Sequence, residues 1–133
     1  MFSDGAEAAM RRAGLDPDDG TLDTAVLDAL GAEFGPALLA DVAASFRAES
    51  AKALDALDDA LARGDAAVAE RQFHFIKGSA LYLALGRLAG LCERLECEAR
   101  AGHRHGAAIA ATLRAEVSRG LDLLAALGVP SGG

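Results

Sequence analysis

Tryptophan is absent from this chain, tyrosine occurs once and phenylalanine five times. So thin an aromatic content, beside abundant alanine and leucine, disfavours a sheet core and favours helices. Cysteine is scarce too. Cys92 and Cys97 lie five residues apart, roughly 140° around a helix, which is no geometry for a disulfide within it. Nor is this the C-x-x-C spacing. Cys92 reads as a small core residue and Cys97 as nearer the surface. Basic residues are outnumbered, 13 Lys and Arg against 20 Asp and Glu, for a net charge of −7. That removes the basic stripe a nucleic-acid binder needs and any basis for docking on anionic lipid. No apolar run approaches the ~18–20 residues of a membrane span. The first residues lack the basic-then-apolar layout of a secretory signal. The expectation is a soluble cytoplasmic protein with neither membrane nor nucleic acid as partner.

What is present is helical periodicity. The chain's 133 residues suffice for one domain with one core. Residues 1–20 form an acidic N-terminal segment, with a possible short helix around Gly5–Ala13 and a turn at Asp16-Pro17-Asp18-Asp19-Gly20. Asp23 is placed to cap a second short helix through Glu33, with Leu27 and Leu30 inward. Gly35-Pro36 breaks that pattern, and Pro36 suits the first turn of a new helix. A long helix follows, carrying Leu39, Val42, Phe46, Ala53, Leu57 and Leu61 inward, with Glu49-Ser50 expected outward. Arg63-Gly64 closes it, and Asp65 caps the next helix, expected to run to about Leu85. Leu88, Leu91, Cys92, Leu95 and Ala99 mark another, ended by Ala101-Gly102. A last helix spans about Gly106 to Leu127, with Ile109, Leu113, Val117, Leu121 and Leu124 inward. Residues 21–127 are thus expected to be an all-α, antiparallel up-down four-helix bundle, with one or two short N-terminal helices packed across one end. Residues 128–133 are expected to be a flexible tail.

The chemistry concentrates in Phe73-His74-Phe75-Ile76-Lys77-Gly78-Ser79-Ala80. At ~100° per residue, Phe73, Ile76, Ala80 and Leu83 cluster on a core-facing side, and His74 points nearly the opposite way. Lys77 and Gly78 flank it on its own face. An exposed imidazole beside an ammonium and a patch of bare backbone suits a phosphoryl carrier. Histidine titrates near neutrality, so a useful fraction is neutral and nucleophilic. Gly78 in mid-helix costs roughly 1 kcal/mol relative to alanine, and close approach by a partner is a reason to keep it. Leu81 beside His74, with Phe75 and Tyr82 at its flank, suggests a partner-binding patch. The chain has no Walker glycine loop, no ATP-binding signature and no carboxylate cluster suited to Mg²⁺ around His74. A carrier is expected rather than an autonomous catalyst, with no cofactor and no metal of its own.

His74-x-x-Lys77-Gly78-Ser79-Ala80, followed by Leu88 and Leu91-Cys92-x-x-Leu95-Glu96, resembles the histidine-containing phosphotransfer (HPt) domain of multistep phosphorelays. The match runs from about Leu22 to Leu124 and is densest over 73–100. The resemblance implies the same bundle fold, with His74 as phosphoacceptor, Lys77 offsetting the phosphoryl charge and Gly78 leaving room for the partner. Glu96 and Arg100 match positions that are polar groups near the histidine in some relatives. The partners implied are receiver domains of response regulators and hybrid histidine kinases, whose acidic pocket supplies the Mg²⁺. One departure stands out: relatives usually carry Gly-Ala or Gly-Leu where this chain has Ala84-Leu85. Gly86 is expected to serve that turn instead.

Other readings make different demands. A degenerate bundle could bind receivers or kinases without being phosphorylated, although the intact His74-Lys77-Gly78 speaks against it. A metal-binding or enzymatic bundle would need inward-facing ligand pairs, and the nearest approach, Glu70 with His74, faces outward. His103-x-His105 lacks a full ligand set and is expected to be a solvated loop. The compact length, without kinase or receiver segments, leads to the expectation of a separate, monomeric shuttle.

Overall fold

A computed structural model describes residues 1–132, all of whose regular structure is helical. The elements are α1 (Ala6–Arg12), α2 (Thr24–Arg63), α3 (Ala66–Leu81), α4 (Gly86–Arg100) and α5 (Ala108–Ala126). Cross-helix contacts give their directions. Glu70, His74 and Lys77 of α3 meet Arg100, Glu96 and Glu93 of α4, in reversed order. Asp55 and Asp58 of α2 meet Arg114 of α5, and Arg47 meets Ser131 beyond it. Neighbouring helices are therefore antiparallel, and the fold is an up-down bundle. Its core is built of Leu39, Phe46, Leu57, Phe73, Ile76, Leu88, Leu95, Leu113 and Leu124, all buried.

The helix boundaries follow from local chemistry. Asp23 accepts a hydrogen bond from the Val26 N–H (3.1 Å), which starts α2. Gly35 then leaves the helical region (φ 77°, ψ 164°), so α2 is two helical pieces meeting at Gly35-Pro36. Proline has no N–H to lose at the start of the second piece. Gly64 ends α2 in the left-handed conformation (φ 67°). The next residue, Asp65, accepts from the Val68 N–H (3.1 Å) and starts α3.

Four expectations need correction. The first concerns α3, which stops at Leu81, four residues before the expected end near Leu85. Leu83, Ala84 and Leu85 are all buried there, and turning both leucines inward requires a reversal of the chain. Gly86 does not provide it. Ala84 itself takes a positive φ of 59°, while Gly86 opens α4. Backbone bonds from Asp23 N–H to the Ala84 carbonyl (2.8 Å) and from Arg87 N–H to the Gly20 carbonyl (3.0 Å) brace this turn. They also fix the N-terminal segment across that end of the bundle.

Second, Ser50 is buried rather than outward. It lies four residues after Phe46 and three before Ala53 on the inward stripe, and its hydroxyl donates to the Arg47 carbonyl (3.3 Å). Third, the expected tail is anchored. Val129 is fully buried, and Ser131 accepts a bond from Arg47 Nε (2.8 Å). Gly133, the last residue of that expected tail, lies outside the described residues. Fourth, the loop before α5 is not wholly solvated. The His105 side chain is buried, edge-on to Phe73 with ring centroids 5.4 Å apart, and its Nε2 lies 3.0 Å from Glu98 Oε1.

Candidate functional site

Phe73, Ile76 and Ala80 are fully buried, which fixes the rotation of α3 and turns His74 outward. Its side chain is 68% exposed. The imidazole is nevertheless not free. Its Nδ1 lies 2.8 Å from Oε1 of Glu96 on α4, and the Glu96 side chain is only 5% exposed. Glu96 also accepts from Lys77 Nζ (2.7 Å, at Oε2) and from Arg100 Nη2 (3.0 Å, at Oε1). Two further carboxylates close the cluster. Glu93 Oε2 accepts from Lys77 Nζ (2.6 Å), and Glu70 Oε1 accepts from Arg100 Nε (2.9 Å).

Burial pushes the Glu96 carboxyl up. The Lys77 and His74 contacts outweigh that and hold it below the usual carboxylate value. Glu96 therefore stays ionised and acts only as an acceptor. Glu93, bonded to Lys77, is held low as well, and Lys77 is raised first by Glu93 and then by Glu96. Arg100 is raised by Glu70. Beneath the cluster, burial pushes the Cys92 thiol up to about 12, which makes it an inert core group.

Four of the eight residues named from the sequence are joined by direct contacts at the imidazole, across two adjacent helices: His74, Lys77, Glu96 and Arg100. A Cβ on Gly78 would meet nothing within 4 Å, so this glycine is not there to let helices pack. Phe75, Leu81 and Tyr82 are all exposed. Phe75 and Tyr82 line an open groove of about 270 Å³ together with Val42, Phe46 and Ser79, whereas Leu81 lies outside it. Sequence reasoning missed Glu70 and Glu93 as members of the cluster, because the register between two helices is not written in either one. Glu70 serves Arg100 rather than His74. Among the described residues, no group of three or more His, Cys, Asp or Glu side chains could hold a metal ion. No described helix is long and apolar enough to cross a membrane.

The family model of the Hpt domain matches residues 41–126. That stretch holds the whole charge cluster and most of the bundle, and the chain belongs to the Hpt domain family. Hpt domains are phosphotransfer modules of two-component signalling, generally carriers rather than enzymes, and they work with receiver domains. Neither the curated proteins nor the solved structures include a significant match to the chain.

Proposed function

We propose that this chain is a phosphohistidine carrier of a multistep two-component phosphorelay. It takes a phosphoryl group on His74 from a receiver aspartate and passes it to another receiver. The observation that carries this reading is the pairing of an exposed imidazole with a buried, ionised carboxylate. An acceptor-only Glu96 facing Nδ1 requires the proton on Nδ1. The neutral ring then presents a lone pair at Nε2, on the side away from Glu96. In the forward step that lone pair forms the N–P bond while the O–P bond of the aspartyl phosphate breaks. The aspartate leaves as a carboxylate with the bonding electrons. The ring, now cationic, keeps its Nδ1 proton against Glu96.

Phosphoryl transfer depends chiefly on positioning and charge compensation. The receiver's acidic pocket and its Mg²⁺ supply most of the compensation, and Lys77 adds to it. Gly78 lets the partner approach, and Phe75, Leu81 and Tyr82 offer it apolar surface. The chain acts as a monomer in the cytoplasm, without catalysis of its own.

Incubation with a panel of radiolabelled, phosphorylated receiver domains tests this. Wild type should acquire an acid-labile, alkali-stable label, and His74→Gln should acquire none while staying folded, since the side chain is mostly in water. Receiver binding without any label on wild type would instead establish a non-phosphorylated interaction module.

A further inference from the structure

We propose that Glu93 sets how firmly this chain holds its phosphoryl group, by competing with that group for the Lys77 ammonium. The inference rests on His74 being the phosphoryl carrier. Lys77 lies one turn along α3 from His74, within reach of a group on that ring, but its ammonium is already engaged by Glu93 and Glu96 at 2.6 and 2.7 Å.

The two carboxylates are not equivalent. Glu96 is buried beneath His74 and also carries Arg100, so water cannot replace Lys77 there without opening the α3–α4 contact. Glu93 is 56% exposed, and Lys77 is its one cationic partner among the described residues. Water rehydrates Glu93 readily once Lys77 leaves, so Glu93 is the partner that gives way when a phosphoryl group arrives.

The charge balance makes that competition consequential. Glu70, Glu93 and Glu96 against Lys77 and Arg100 leave the cluster one charge negative before any phosphoryl group is present. A phosphoryl group adds further negative charge. Its stabilisation therefore requires Lys77 to turn outward from Glu93. The phosphorylated state is raised accordingly, and the group is held ready for onward transfer. Glu93 changes no bond in the step. The N–P bond at Nε2 still forms as the aspartyl O–P bond breaks, and the return transfer reverses it. Only the free energy of the phosphorylated side moves.

The test is the equilibrium distribution of label between the chain and a phosphorylated receiver that labels it. Glu93→Gln should shift label toward the chain by roughly two- to fivefold, the range of an exposed ion pair. The shift should shrink as salt is added, and Glu93→Asp should restore much of the wild-type distribution. Replacing Lys77 by Met in the Glu93→Gln background should abolish the gain. A purely structural or docking role would alter forward and reverse rates together and leave the equilibrium where it was. An unchanged distribution, a shift toward the receiver, or a gain that survives loss of Lys77 overturns the proposal while the carrier reading stands. A wild type that takes no label from any receiver overturns both.

Discussion

Replacing Glu96 by Gln keeps the shape of the side chain beneath His74 and removes its charge. In wild type, Glu96 Oε1 faces Nδ1 at 2.8 Å. A hydrogen bond involving a charged group contributes about 1.5–3 kcal/mol. The imidazole is 68% exposed, so solvent screening reduces the preference for the Nδ1–H tautomer to about 1 kcal/mol, roughly a fivefold bias. With glutamine, an amide N–H can turn to Nδ1 and leave the proton on Nε2, where it blocks attack. The reactive tautomer drops from about five-sixths of the ring to between about one-half and one-sixth, so the rate of phosphoryl uptake should fall about twofold to fivefold, with the helical fold retained. Stopped-time label transfer measures the rate, and ¹⁵N chemical shifts of the imidazole report the tautomer directly. An unchanged rate and an unchanged Nδ1–H signal would refute the reasoning.

The same variant has a thermodynamic signature. Glu96 has a folded-state pKa below its ordinary 4.5, so its stabilising effect is complete above 4.5 and is lost as pH falls through the lower folded value. Urea melts should show the stability gap between wild type and Glu96→Gln closing as pH drops below about 4.5.

Two backbone positions yield further predictions. Gly78→Ala should raise stability by about 0.5–1 kcal/mol, because nothing lies in the way of the methyl. Gly78→Gln should remain folded yet slow transfer from the receiver, and unimpaired transfer would remove the role given to that glycine. At Ala84, relief of left-handed strain by glycine, about 1 kcal/mol, is offset by loss of a buried methyl worth about 0.8 kcal/mol and by a looser unfolded chain. Chemical denaturation of Ala84→Gly should therefore show little change. Ala84→Val, with a β-branched side chain at φ 59°, should lose about 2 kcal/mol or more.

Most of the bundle was legible because it rests on local rules. Asp23, Gly64 and Asp65 mark helix ends through capping, and the leucine spacing of α4 and α5 gives their inner faces. The orientation of His74 followed from Phe73, Ile76, Ala80 and Leu83, which the helical wheel puts on the opposite face. What escaped depends on neighbours. Glu96 lies four residues after Cys92 and three before Ala99, both buried, so the helical wheel already placed it at the edge of the core. Its burial becomes affordable only through Lys77, His74 and Arg100, which no single-helix pattern shows. Ser50 carried the same signal between Phe46 and Ala53. His105 carried none, because a histidine in a short polar loop looks solvated until Phe73 is brought against it. Ala84 went unforeseen because alanine at positive φ is not a residue preference but a consequence of burying Leu83 and Leu85 together.

The six charged or titrating members of the cluster, from Glu70 to Arg100, all belong to the α3–α4 hairpin, joined by a single tight turn. By contrast, the bonds from Arg119 to Asp19 and Thr21, and from Arg47 to Ser131, join parts of the chain far apart in sequence. Contacts inside one hairpin close small loops and form early, whereas distant ones must wait for the chain to come together. Local opening of the C-terminal end can thus occur while the imidazole, its carboxylate and its flanking cations remain assembled, whereas opening of the N-terminal segment also releases the Asp23–Ala84 and Arg87–Gly20 bonds that brace the hairpin turn. The chain can breathe at its C-terminal end without scattering its working parts.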